Sequence, residues 1–311
     1  MEWSGHSGGL CGLAILMGAA VEFCAVTVRR TGRDLVRDVS FRVPAGTVHA
    51  VLGHNGAGKT TLMRALADQI PLRRGSITST GTATVLFASS AMPPELAVHD
   101  ILEHRRRCEG ATRDTVAVAV TTCAIGGFLD RRFGRLSTGM AQRVAIACAL
   151  IADSPIIVLD EPTTGLDPQG VDALMQVLTT LRAGGRTVMI CSHDLARLEY
   201  VCNGVTCLRD GRVTADGPVA QVASAVEVPG HLLRTGDDQL ACRLLGEAGL
   251  TATSTERGVH VAASARLPAV VRTLAGHVEL MESTVDTSLF ERIYRRYAAA
   301  PEHRSTRRRR R

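Results

Sequence analysis

Residues 53–61 read Gly53-His54-Asn55-Gly56-Ala57-Gly58-Lys59-Thr60-Thr61 and contain the pattern G-x-x-x-x-G-K-[ST]. Glycines at these spacings let the backbone wrap closely around an anion with its N–H groups pointed inward. The stretch follows the apolar run 48–52 and precedes residues predicted to be helical, which is the strand-loop-helix setting of a phosphate loop. The sequence therefore predicts a polyphosphate site here.

Lys59 is the only lysine in the chain, although lysine and arginine together number 36. A slender ammonium with three rotatable donors can reach phosphates inside such a loop, where a planar guanidinium would not fit the same space. The hydroxyl of Thr60 is suited to bind Mg²⁺. Kinases, G proteins and transport ATPases all share this loop, so by itself it indicates a nucleotide phosphate and no particular reaction.

The composition is typical of a soluble protein, and its excess positive charge lies at the C-terminal end. The chain has 311 residues, of which 45% are apolar and 3% aromatic, which is enough for two domains. The net charge is +6, but residues 303–311 hold six arginines and no acid, so the remainder is neutral. This tail is interpreted as solvated, with contact to anionic lipid head groups or nucleic acid as the less favoured alternative.

Nine cysteines without a C-x-x-C pair favour a reducing cytosol over a disulfide framework or a zinc site. The apolar run 10–21 is too short to span a bilayer, and no lysine or arginine precedes it as a signal peptide would require. If the protein serves a membrane, we therefore expect another chain to cross it.

Strand and helix patterns alternate up to about residue 217, and a second unit follows. That unit reads strand, helix, strand, strand, helix, strand, which is the ferredoxin-like order, over 232–234, 239–248, 251–255, 258–262, 268–274 and 278–281. The sequence predicts a disordered extension at 1–20 and an α/β domain at 21–217, with an inserted helical subdomain at about 93–150. A linker at 218–230, an α+β domain at 231–298 and an arginine-rich tail at 299–311 follow.

Two carboxylates end the apolar run 156–159, which is predicted to be a buried parallel strand. Asp160 would hold Mg²⁺ through water, and Glu161 would orient and deprotonate an attacking water molecule. His193 follows another β-branched run, 187–190, and is placed to contact a γ-phosphate and the general base. These residues predict hydrolysis of the bound phosphate.

The segment Leu136-Ser137-Thr138-Gly139-Met140, followed by Gln142-Arg143, resembles the signature motif of ABC-family ATPases. It lies between the phosphate loop and Asp160, as the family requires. Gly165-Leu166-Asp167-Pro168 resembles the D-loop of the same family. The resemblance covers residues 21–217, and the second unit resembles the C-terminal extension of drug-exporter ATPases of the daunorubicin-resistance type.

The resemblance implies a P-loop NTPase fold, with a RecA-like core, an antiparallel β subdomain and the inserted helical subdomain. It implies a head-to-tail dimer that closes on ATP and Mg²⁺, with Glu161 and His193 as catalytic residues. Thr60 and Asp160 are the implied metal ligands. The implied nucleotide-binding residues are Gly53, His54, Asn55, Gly56, Ala57, Gly58, Lys59, Thr60, Thr61, Ser137, Gly139, Asp160 and Asp167.

The same resemblance implies an ATPase subunit on the cytoplasmic face of the membrane, working through a separate transmembrane permease. It pairs with a second copy of itself or with a different ATPase subunit. The motif pattern departs from the family most at two places, with milder changes at His54 and Thr138. Arg30 stands where an aromatic residue stacks on adenine, and Ala88-Ser89-Ser90 stands where a glutamine couples hydrolysis to transport. Arg30 is interpreted mainly as a solvated charge, with base stacking as the alternative.

Two other functions remain open from the sequence. One is a non-transport ABC ATPase that acts on ribosomes or nucleic acid, which the arginine tail supports slightly. The other is a module that holds ATP as a clamp without turnover, which the missing glutamine favours and Glu161 and His193 disfavour. Export driven by ATP hydrolysis is the leading hypothesis, and nucleic acid is the less expected partner.

Overall fold

The computed structural model of the protein describes residues 18–87, 92–192, 198–226, 230–255, 258–262, 267–285 and 288–299. These residues form two compact units. The first holds the described residues up to 219 together with 297–299, and the second holds those from 220 to 296. No helix in the described part of the chain is long and apolar enough to span a bilayer.

The first unit alternates strands and helices, as the sequence pattern predicts. Its elements in chain order are strands β1 (Ala19–Arg30), β2 (Arg33–Pro44) and β3 (Val48–Leu52), helix α1 (Lys59–Leu66), strands β4 (Arg74–Ser79) and β5 (Ala83–Leu86), helices α2 (Val98–Glu109), α3 (Arg113–Thr122) and α4 (Thr138–Ile151), strand β6 (Ile156–Asp160), helix α5 (Pro168–Ala183), and strands β7 (Thr187–Cys191), β8 (Gly204–Arg209) and β9 (Arg212–Pro218).

Six of these strands form one sheet in the order β5-β6-β7-β3-β8-β9. The first five are parallel, and β9 returns antiparallel to β8. Every residue of β3, β6 and β7 is buried, which is why these strands read as short runs that are mostly apolar. Parallel strands end at the same edge of a sheet, so the segments that follow β3, β6 and β7 meet there.

A second sheet of the first unit is antiparallel, in the order β2-β1-β4. Phe23 and Phe41 lie opposite each other in β1 and β2 and stack with ring centroids 4.3 Å apart. Helices α2, α3 and α4, which lie between β5 and β6 in the chain, pack on one another. The predicted P-loop NTPase fold, with its antiparallel β subdomain and inserted helical subdomain, is therefore confirmed.

The second unit has one helix on its own and then a four-stranded sheet with helices. Its elements are helix α6 (Val219–Ser224), strand β10 (His231–Thr235), helix α7 (Asp238–Glu247), strands β11 (Ala252–Thr255) and β12 (Gly258–Val261), helix α8 (Leu267–Leu274), strand β13 (Leu280–Val285) and helix α9 (Leu289–Ile293). The strand order β11-β12-β10-β13, antiparallel throughout, is ferredoxin-like, as predicted. Its core is formed by Leu233, Ala241, Leu245, Val259, Val261, Val270 and Leu274.

Some boundaries differ from the predicted ones. Strand β1 begins inside the predicted extension 1–20, because Ala19 and Ala20 continue the buried face of Val21. Helix α6 lies inside the predicted linker 218–230, where Val222 is buried. Small apolar residues next to a strand or a linker carry a weak periodic signal, so the pattern placed these boundaries only approximately.

A buried histidine in the first unit leads to a prediction about acid stability. His49 on β3 is 1% exposed, its Nε2 lies 2.7 Å from the hydroxyl of Thr206, and that hydroxyl donates to Asp216 at 2.6 Å. Burial lowers the pKa of His49 from 6.5 to about 4. The folded state favours the neutral ring of His49. The resulting contribution to the free energy of unfolding is therefore fully present above pH 6.5.

As the pH falls from 6.5 towards 4, the unfolded state gains this proton first, and we expect a loss of about 3 kcal/mol in the free energy of unfolding. Urea unfolding followed by circular dichroism at both ends of this range measures the loss. Burial raises the pKa of Asp216, which acts in the opposite direction, so the variant His49→Gln is the reference. An equal loss of stability in that variant would show that His49 is not the cause.

Candidate functional site

The phosphate loop lies where the sequence places it, between the end of β3 and the start of α1. Gly58 has φ 107°, a left-handed conformation that favours glycine, and it immediately precedes the first helical residue. At Gly53 the constraint is space, since an added Cβ would lie 2.8 Å from the carbonyl oxygen of Leu208. Side chains at these two positions would therefore distort the loop.

Lys59 points into the loop that it closes. Its Nζ donates to the carbonyl oxygen of Gly53 at 2.6 Å and to that of His54 at 3.4 Å, and the side chain is 6% exposed. The same Nζ lies 3.5 Å from Oε1 of Glu161. The positive charge is thus held at the centre of the loop, beside the proposed general base, where it can bind phosphate oxygens.

Asp160 and Thr60 meet across 100 residues of sequence, because β6 and the loop end at the same edge of the sheet. The hydroxyl of Thr60 donates to Oδ2 of Asp160 at 2.9 Å. Oδ1 of Asp160 is buried and has no hydrogen-bond partner among the described residues. Burial raises the pKa of Asp160, and the bond from Thr60 partly opposes this rise.

A buried carboxylate oxygen without a partner, next to a hydroxyl, forms a pair of oxygen ligands of the kind that Mg²⁺ prefers. The residues present therefore fit a magnesium ion held by Thr60 and Asp160. A bound cation would also offset the cost of keeping this carboxylate charged while it is buried.

Glu161 occupies a strained turn at the end of β6. Its φ is 51°, which is unusual for a residue other than glycine, and its N–H donates to the carbonyl oxygen of Cys191 at 2.7 Å. This bond to the end of β7 fixes the turn and keeps the Glu161 side chain partly exposed at the sheet edge, with 20% of it accessible. The position suits a base that takes a proton from water.

The signature and D-loop residues lie at the starts of two other helices. Ser137 is the N-cap of α4, where its hydroxyl accepts the N–H of Met140 at 3.3 Å, and Gly139 lies in the first turn. Asp167 is the N-cap of α5 and accepts the N–H of Gly170 at 2.8 Å. Ser137 is exposed, so the N-terminus of α4 is open to a ligand or partner.

Three sequence predictions have different outcomes. Arg30 lies at the end of β1, opposite Arg33, and lines a cavity together with Thr60 and Thr61. His193, the second predicted catalytic residue, and the departure at 88–90 both lie outside the described residues.

The structure also brings to the loop a segment that the sequence did not connect with it. The N–H of His54 donates to the carbonyl oxygen of Ala298 at 3.2 Å, and Ala298 is fully buried. The hydroxyl of Thr214 on β9 donates to the carbonyl oxygen of Tyr297 at 2.7 Å. Residues 297 and 298 were predicted to belong to the C-terminal domain, but they pack with the first unit. No motif marks these contacts, because both are made to backbone carbonyl groups.

Comparisons with known proteins agree with this geometry. The ABC transporter family model matches residues 36–164, which include the phosphate loop, the signature segment and both acids. A lantibiotic transport ATP-binding protein of Streptococcus pyogenes is 30% identical over 190 residues, covering 58% of this chain and 83% of the relative. The Nod factor export ATP-binding protein I of Burkholderia orbicola (strain AU 1054) is 32% identical over 225 residues, covering 67% and 74%.

A solved structure, that of the ATP-binding subunit of an ABC transporter, matches with a TM-score of 0.59 at 25% identity and covers 66% of this chain and 92% of its own. The family match spans Lys59, Thr60, Asp160 and Glu161. By sequence, fold and site geometry, this chain belongs to the ABC transporter ATP-binding proteins.

Proposed function

We propose that this chain is the ATP-hydrolysing subunit of an exporter and drives transport through a separate transmembrane subunit. The observation that carries the proposal is the meeting of Lys59, Thr60, Asp160 and Glu161 at one edge of the sheet. This arrangement supports separate roles for the cation, the metal ligands and the base in phosphate hydrolysis.

The steps assigned to this chain follow from those positions. The loop amides and the Lys59 ammonium would bind the β- and γ-phosphates of ATP, and the hydroxyl of Thr60 and the carboxylate of Asp160 would hold Mg²⁺. A bound magnesium ion would neutralise part of the phosphate charge. Glu161 orients a water molecule and accepts its proton, and Lys59, 3.5 Å away, stabilises the charge that develops.

The second half of each site is proposed to come from another copy of the chain. Ser137 is exposed at the start of a 14-residue helix whose N-terminal end carries a partial positive charge. Such a helix end is complementary to a γ-phosphate held in the loop of a partner. Closure of the dimer on ATP and its release after hydrolysis would then supply the mechanical step.

The direction of transport and the membrane partner rest on analogy. The Burkholderia relative is named for export of Nod factor, and the streptococcal relative for lantibiotic transport. The described part of this chain contains no helix that could span a membrane, so we assign the transport path to a separate subunit on whose cytoplasmic face this chain docks. Co-purification of the full chain with a membrane protein, in detergent and in the presence of ATP, tests this assignment.

The role of Ser137 can be tested with a matched control. Ser137→Ala removes the N-cap bond of α4 and the proposed bond to phosphate, whereas Ser288→Ala removes the equivalent cap of α9, in which Ser288 accepts from Glu291 N–H at 3.1 Å. Each loses about 1 kcal/mol of helix capping. Only Ser137→Ala is expected to reduce ATP turnover, by roughly 10- to 100-fold, because hydrogen bonds to charged groups contribute about 1.5–3 kcal/mol.

Steady-state phosphate release and light scattering with ATP measure turnover and dimer formation in both variants. Equal effects of the two substitutions would reduce Ser137 to a structural cap and contradict the dimer site. Loss of ATP-dependent dimers in Ser137→Ala alone, with monomer binding of ATP retained, is the expected result.

A further inference from the structure

The last described residues of the chain reach the phosphate loop through one backbone hydrogen bond. The N–H of His54 donates to the carbonyl oxygen of Ala298 at 3.2 Å, and Ala298 is fully buried. His54 is the second residue of the loop 53–61. Ala298 therefore contacts the loop itself, and its carbonyl can influence how the loop is held.

The peptide unit that makes this bond also serves Lys59. Its carbonyl oxygen, that of Gly53, accepts from the Nζ of Lys59 at 2.6 Å, and its N–H, that of His54, donates to Ala298. The described residues contain no cis peptide bond, and the C=O and N–H of a planar trans peptide point in opposite directions. Holding the N–H towards Ala298 therefore aims the Gly53 carbonyl at the Lys59 ammonium.

The other contacts of His54 do not replace this anchor. Its ring Nδ1 lies 2.8 Å from the carbonyl oxygen of the next residue, Asn55, and its Nε2 lies 3.5 Å from Oδ1 of the exposed Asp210. The His54 carbonyl accepts from Lys59 at 3.4 Å, a longer bond than the one to Gly53. Among the described residues, Ala298 is the one partner outside the loop to which a backbone group of His54 bonds.

The segment that carries Ala298 is itself fixed in place. The hydroxyl of Thr214 on β9 donates to the carbonyl oxygen of Tyr297 at 2.7 Å. Residues 294–298 form a single π-helical turn, a rare conformation that occurs frequently at functional sites. Two successive carbonyls are thus in use, because that of Tyr297 holds the segment and that of Ala298 holds the loop.

We propose that Ala298 is a positioning residue for phosphate binding, because its carbonyl holds the Gly53–His54 peptide and this peptide holds the Lys59 ammonium at the centre of the loop. The inference rests on the proposed function in taking the loop as the phosphate site. Without the bond the peptide can rotate and Lys59 loses its anchor. We expect the affinity for ATP to fall roughly 3- to 10-fold, which is the net effect of one hydrogen bond.

The test is isothermal titration of the full chain with Mg²⁺ and a non-hydrolysable ATP analogue, well below the melting temperature of each variant. Ala298→Leu adds bulk at a fully buried position and is expected to displace the segment, so it should weaken binding roughly 3- to 10-fold. Ala299→Leu makes the same change one residue later, where the side chain is half-buried, and is expected to bind like the wild type.

A second pair of variants changes the segment without adding bulk. Thr214→Val removes the hydroxyl that holds the Tyr297 carbonyl and keeps a similar side-chain shape, so it is expected to weaken binding of the analogue roughly 2- to 5-fold. Thr214→Ser retains a hydroxyl and should bind like the wild type. This pair decides the question if Ala298→Leu does not fold, and equal affinities of the two variants would then overturn the inference.

Dependence on Lys59 distinguishes a positioning role from a structural one. In a Lys59→Ala background the ammonium is absent, so Ala298→Leu is expected to cause no further loss of affinity for the analogue. A structural defect in the loop would instead lower the affinity by the same factor with and without Lys59.

Three outcomes overturn the inference in distinguishable ways. Wild-type affinity in both Ala298→Leu and Thr214→Val, whatever their melting temperatures, would reduce the segment to structural packing. An equal loss of affinity from Ala298→Leu in the presence and in the absence of Lys59 would show that the segment acts through another group. If the wild type does not bind the analogue, the proposed function fails together with the inference.

Discussion

Glu161→Gln is expected to lower ATP turnover by at least about 100-fold and to leave ATP binding close to that of the wild type, because general-base catalysis contributes roughly 10²–10⁴-fold. Glutamine has the size and shape of glutamate, so the strained turn at φ 51° and its bond to the Cys191 carbonyl are preserved. The amide cannot accept a proton from the attacking water. The substitution therefore removes the chemical step and retains the site.

The same variant should accumulate an ATP-bound dimer, since release follows hydrolysis in the proposed cycle. Phosphate release measures the first effect and size-exclusion chromatography with light scattering measures the second. Glu247→Gln is a suitable control, because Glu247 is exposed at the end of α7 in the second unit. Turnover within about 10-fold of the wild type would remove Glu161 from the role of general base.

The parts of this site that the sequence predicted share a physical origin. Strands β3, β6 and β7 are buried on both faces, so they appear as short, mostly apolar runs, and the residues that follow each run mark the sheet edge. Lys59 was identifiable because its loop requires a particular side-chain shape. Local patterns of this kind report the burial and conformation of a segment, and both are set by nearby residues.

The parts that the sequence did not predict depend on approaches between distant segments. The bond from His54 to Ala298 joins residues that are far apart in the chain and involves only backbone groups, so no side-chain pattern records it. Arg30 at the end of β1 and Arg64 in α1 line the same cavity beside the phosphate loop, and periodicity does not reveal such an approach between separate elements.

Lys59→Arg is expected to weaken ATP binding by roughly 100-fold, corresponding to about 3 kcal/mol for the loss of a charge-assisted contact to phosphate. The Lys59 ammonium lies 2.6 Å from the Gly53 carbonyl oxygen inside a loop that leaves only 6% of the side chain exposed. A planar guanidinium is wider and cannot enter this space without moving the loop. Because the positive charge is retained, the loss of ATP affinity reports the effect of side-chain shape alone.

Lys59→Ala separates geometry from charge in the same titration. It removes the cation and leaves the loop free to keep its shape, so it reports the full contribution of the side chain. If Lys59→Arg binds ATP as weakly as Lys59→Ala, a positive charge on a group wider than the lysine ammonium does not contribute to ATP binding at this position. If Lys59→Arg binds like the wild type, the loop tolerates a guanidinium, and the presence of a single lysine in an arginine-rich chain has a cause other than the shape of this site.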